Sequence, residues 1–105
     1  PQTATTIALV ATDATLDKAA CKRLAIMAND GLARALRPVH APNDGDTVFA
    51  AATGHRPGID LASMIELGTT AADCLARAIA RGVYEATALP FANARPDWKQ
   101  RFGGK

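Results

Sequence analysis

Two threonines, Thr5 and Thr6, open the apolar run TTIALVAT, and two aspartates flank a glycine at Asp44-Gly45-Asp46. These are the side chains whose types could do chemistry. A threonine hydroxyl becomes a useful nucleophile only when a base takes its proton, and carboxylates on a short turn can converge on one spot. Each also has a purely structural reading. β-Branched residues start strands, and Asp-Gly is among the best turn dipeptides. His40, alone near Pro38, reads as a loop or half-buried histidine. His55 lies in a polar link, so no pair of histidines stands at metal spacing and neither metal nor cofactor is expected. Cys21 and Cys74 lack Cys-x-x-Cys spacing and fall inside helical patterns, which reads as small buried hydrophobes in a reducing compartment.

The elements that must position these residues follow from periodicity. Thr5 to Thr12 is apolar and β-branched without clean alternation, the pattern of a strand covered on both faces. Thr15 offers a hydroxyl cap and Asp17 a first-turn carboxylate to a helix. Leu16, Ala20, Leu24, Met27, Gly31, Leu32 and Ala35 then form one apolar stripe, on a helix of about 30 Å that stops before Pro38. Asn29-Asp30-Gly31 is poor helix chemistry, and close packing at Gly31 is its plain explanation. A loop through VHAPNDG leads into the strand-like DTVFAAAT. After GHRPG, a second amphipathic helix runs through Leu61, Met64, Ile65, Gly68, Ala72, Leu75, Ile79 and Val83 to about Glu85. The segment from Ala88 to Lys105 holds the single tryptophan and is expected to be a partly ordered arm that packs through Phe91, Trp98 or Phe102.

The chain of 105 residues is long enough for one core and one domain. Its 12 basic and 10 acidic residues leave a formal charge of +2 with the cations scattered. That excludes the basic stripe of a nucleic-acid binder. No apolar run reaches the roughly 18 residues of a membrane span. The N-terminus also lacks a basic n-region and a long h-region, so a soluble cytoplasmic protein is expected. Two strands alone do not make a stable open sheet. The expected remedy is a further segment of a larger protein supplying the rest of the sheet, in preference to dimerisation of this chain.

The run from Ala4 to Thr53 resembles the small-subunit segment of the DmpA-type aminopeptidases and amidases, which include the β-aminopeptidases and the nylon-oligomer endo-hydrolase. The resemblance is carried by TTIALVATDA, GLARALRPVH and DGDTVFA in that order and spacing, and continues weakly to RPDWKQRF. It implies a precursor cut before Thr5. Residues 1–4 would then be a leader, 5–87 the small-subunit segment and 88–105 the C-terminal arm. It implies an α/β fold: a strand-helix-strand-helix half of a four-layer αββα sandwich of the N-terminal-nucleophile type. Thr5 would be the nucleophile, with its freed α-amine, of ordinary pKa about 8, as the base. Asp44 and Asp46 would stand beside it to orient the ammonium or hydroxyl and hold the substrate. The implied partners are the larger subunit of the same precursor, bringing a lysine and an asparagine, and a small peptide or amide substrate. An oligomer is implied too, and the chain alone should be inactive. The alternative from a different class is a non-catalytic α/β assembly module that pairs through its sheet edge.

Overall fold

A computed structural model describes residues 4–103. Strand β1 (Ile7–Thr12) pairs in parallel with β2 (Thr47–Ala52), in register from Ile7 opposite Thr47 to Thr12 opposite Ala52. Parallel neighbours need a long crossover. Here it is made by two helices, α1 (Lys18–Ala28) and α2 (Asp30–Ala35). Helix α3 (Leu61–Glu85) follows β2, and a short α4 (Trp98–Phe102) ends the described chain. The small α/β architecture and the order strand, helix, strand, helix agree with the sequence reading. Of the expected 1–4 leader, residues 1–3 lie outside the described residues.

The core lies between one face of the two-stranded sheet and the helices. Leu24 and Leu32 are fully buried there, with Ala8, Ala28, Ala71 and Leu75 around them. Half of these side chains are alanine, so the backbones approach closely. A Cβ on Gly31 would run into the carbonyl oxygen of Ala72 and stand 3.0 Å from Leu75 Cβ, so the absence of a side chain is what lets α2 dock on α3. The close packing expected at Gly31 is therefore present, and Gly68 similarly sits under Met27.

Several expectations are corrected. The single first helix is two, because the chain breaks at Asn29, where the Leu32 N–H bonds the Asn29 carbonyl three residues back at 3.0 Å. Asn, Asp and Gly in succession are weak helix formers, and turning there lets Gly31 meet α3. The cap of α1 is Asp17, whose Oδ1 accepts the Ala20 N–H at 2.8 Å, and not Thr15. The Thr15 hydroxyl instead donates to the Arg56 carbonyl at 2.6 Å, tying the end of β1 to the loop after β2. Cys21 is half-buried and Cys74 is exposed, so Cys74 is no core residue. In α3 the buried stripe is Gly68, Ala71, Ala72 and Leu75, while Leu61, Ile65 and Val83 at its ends are exposed.

The strands are covered on one face only. Ala8 is buried, and Val10, Val48 and Ala50 pack on the core, but Ile7, Leu9 and Phe49 on the other face are 72%, 64% and 57% exposed. The C-terminal arm packs through Trp98, which lies 5.2 Å from the Tyr84 ring and 5.5 Å from the Phe102 ring, whereas Phe91 is exposed. Asp97 and Gln100 close a capping box on α4. The Gln100 N–H, and after it the Ala88 N–H, hold the Asp97 carboxyl below its ordinary pKa. No helix among the described residues is long and apolar enough to cross a membrane.

Candidate functional site

Parallel pairing places the N-terminal ends of β1 and β2 side by side, so the residues that lead into each strand are neighbours despite some forty positions of sequence between them. The ladder extends upstream of the strands. The Thr47 N–H donates to the Thr6 carbonyl at 2.9 Å, the Gly45 N–H donates to the Ala4 carbonyl at 2.8 Å, and Ala4 and Asp44 form an isolated parallel bridge. Thr5 is thereby set opposite the Asp44-Gly45-Asp46 segment.

Asp46 is the most enclosed group, its side chain only 5% exposed. Its Oδ1 accepts the Thr6 N–H at 2.9 Å. Its Oδ2 meets the Nδ1 of His40 at 2.9 Å and accepts the His40 N–H at 3.3 Å. One carboxylate therefore ties the peptide following Thr5 to the loop before β2. To present both its N–H and its ring to Asp46, His40 adopts φ +56°, in the left-handed region. Histidine is one of the few side chains found there with some frequency.

Asp44 has a different local task. Its Oδ2 accepts the Ala41 N–H at 2.8 Å while its own N–H donates to the Ala41 carbonyl at 2.9 Å. The hydrogen-bonded turn thus spans Ala41–Asp44 and ends on the first residue of the Asp-Gly-Asp segment expected to form it. Gly45 is part of the ladder, and a Cβ there would stand 2.9 Å from Thr5 Oγ1.

Thr5, Asp44 and Asp46 line a single open cleft of about 470 Å³, together with Thr6, Arg37 and Val39. Thr5 is exposed and Asp44 is half-buried. The structure brings together Thr5, Asp44 and Asp46, the three residues that the sequence resemblance assigned to a site. His40, read from the sequence as a loop or half-buried histidine, also joins Asp46, and its approach depends on a loop conformation that no spacing announces. Among the described residues no group of His, Cys, Asp or Glu is arranged to hold a metal ion. His55 lies elsewhere, its Nδ1 2.7 Å from Thr53 Oγ1. The arrangement offers an exposed threonine and two carboxylates lining one open cleft.

Peptidase family S58 matches residues 2–96. An uncharacterized aminopeptidase of Mycobacterium bovis and one of Mycobacterium tuberculosis are each 48% identical over 111 aligned positions, covering 95% of this chain. One from Mycobacterium leprae is 48% identical over 96 positions, covering 81% of the chain. This chain spans 31% of the length of the first two and 26% of the third.

Proposed function

The chain belongs to peptidase family S58, and on that premise we propose that it is the nucleophile-bearing part of a longer hydrolase that cleaves peptides or amides with a free amino end. Thr5 is the nucleophile, released by self-cleavage of the Ala4–Thr5 bond. Its freed amine takes the hydroxyl proton as Oγ attacks the substrate carbonyl. It then returns the proton to the leaving amine, and water hydrolyses the acyl-enzyme. Asp46 holds the backbone beside Thr5, and both aspartates offer negative charge to an ammonium, whether that of Thr5 or of the substrate. The observation that carries this reading is the convergence of Thr5, Asp44 and Asp46 in one cleft at the paired strand starts. The mycobacterial relatives are about three times the length of the matched region, which supports a larger segment that completes a four-layer αββα sandwich and the site. Without that segment the chain is inactive.

The test uses the full-length protein with Thr5→Ala and Thr6→Ala. The expected result is that Thr5→Ala remains uncut and inactive on an aminoacyl amide, whereas Thr6→Ala yields a chain beginning at Thr5 by intact mass. One hydroxyl serves both steps, so normal maturation of Thr5→Ala would point to an outside protease and sink the assignment.

A further inference from the structure

Resting on the reading of Thr5 as a residue freed by self-cleavage, we infer that the backbone N–H of Gly45 is the oxyanion donor for that cleavage. The bond to be broken joins the Ala4 carbonyl carbon to the Thr5 nitrogen. Thr5 Oγ adds to that carbon through a five-membered ring, and the carbonyl electron pair moves onto the Ala4 oxygen. That oxygen already accepts the Gly45 N–H at 2.8 Å, so a donor is in place on the atom that takes up the charge. Collapse of the intermediate breaks the C–N bond while the hydroxyl proton passes to the Thr5 nitrogen. An ester between Ala4 and Thr5 Oγ remains. Water then adds to the ester, leaving an Ala4 carboxylate and a Thr5 with free hydroxyl and amine.

A second property of the same residue supports the assignment. Gly45 also faces the attacking group, since a Cβ there would stand 2.9 Å from Thr5 Oγ1. A side chain at this position would crowd the hydroxyl, while the N–H of the same residue holds the carbonyl that hydroxyl attacks. Its position is fixed from both sides. Asp44 is tied to Ala41 at 2.8 Å, and Asp46 is tied to Thr6 at 2.9 Å and to the His40 ring at 2.9 Å. A donor held in this way needs no rearrangement when charge develops.

The Gly45 N–H also extends the sheet ladder, so the decisive comparison is with the next rung, the Thr47 N–H on the Thr6 carbonyl at 2.9 Å. In the full-length protein, the Gly45 or the Thr47 amide is replaced by an ester using the corresponding hydroxy acid, removing one N–H and little else. Appearance of the chain beginning at Thr5 is followed by mass spectrometry, with melting curves in parallel. The Gly45 ester is expected to slow cleavage by about ten- to a hundredfold. The Thr47 ester should stay within about threefold of the unmodified protein, on the same reasoning. Gly45→Ala keeps the N–H but displaces Oγ1, and it too is expected to slow cleavage. Unchanged cleavage in the Gly45 ester, equal slowing in both esters, or unchanged cleavage in Gly45→Ala would overturn the inference alone. Maturation of Thr5→Ala would overturn the reading of Thr5 and the inference with it.

Discussion

At the scale of residues, the two aspartates of the cleft are not equivalent. Asp46 accepts three donors on two oxygens, from Thr6 and twice from His40, whereas Asp44 accepts the Ala41 N–H within its own turn. An asparagine at 46 keeps one acceptor oxygen, so its amide nitrogen must face either the Thr6 N–H or the His40 N–H, and that backbone donor loses its acceptor. An asparagine at 44 keeps the side-chain turn, which Asn forms as readily as Asp. If the full-length protein works as proposed, Asp46→Asn is therefore expected to lower kcat/KM on an aminoacyl amide by about ten- to a hundredfold. Asp44→Asn should cost about threefold or less if its role is the turn alone. Equal losses at equal melting temperatures would show that charge, and not connection, is what the site takes from both. The residue types were legible in the sequence, since a paired threonine at a strand start and Asp-Gly-Asp stand out. Their connection was not. It rests on strand pairing across forty positions and on the left-handed backbone at His40, neither of which leaves a periodic trace.

At the scale of elements, periodicity located both long helices but overstated what they bury. A 3.6-residue repeat marks a face, and only the neighbouring element decides how much of that face is covered. Thus the middle of α3 is buried, while Leu61 and Val83 on the same stripe meet solvent. The division of the first helix at Asn29 was foreshadowed by Asn-Asp-Gly, though the reason for it lay in another element, the Ala72 carbonyl of α3 against Gly31. Gly31→Ala gains intrinsic helix propensity but places a methyl group against backbone that cannot rotate away. The expected net effect is a destabilisation of about 1 to 3 kcal/mol, read from the midpoint of urea unfolding at constant slope. A stabilised variant would mean that α2 and α3 can separate without cost.

At the scale of the whole molecule, the Cα radius of gyration is 16.6 Å, with extents of 52 × 32 × 21 Å. A compact chain of this length would have a radius of about 13 Å, so the shape is that of an elongated slab with an arm. One broad side carries Ile7, Leu9 and Phe49 exposed on a two-stranded sheet. Such apolar faces and short open sheets seldom stand alone in water. Expressed by itself, the chain is expected to self-associate, measured as a mass above 10.9 kDa by light scattering after size exclusion. A monodisperse, cooperatively melting monomer would contradict a missing segment on that side. The arm has a further consequence for any optical study. The single tryptophan and the single tyrosine of the sequence pack against each other where α3 meets α4, with ring centroids 5.2 Å apart and planes tilted by 57°. The sheet and the cleft contain neither. Intrinsic emission therefore reports whether the arm is docked, and is blind to the strands that follow Thr5 and Asp46. A fluorescence melt and a circular-dichroism melt of this chain follow different parts of it.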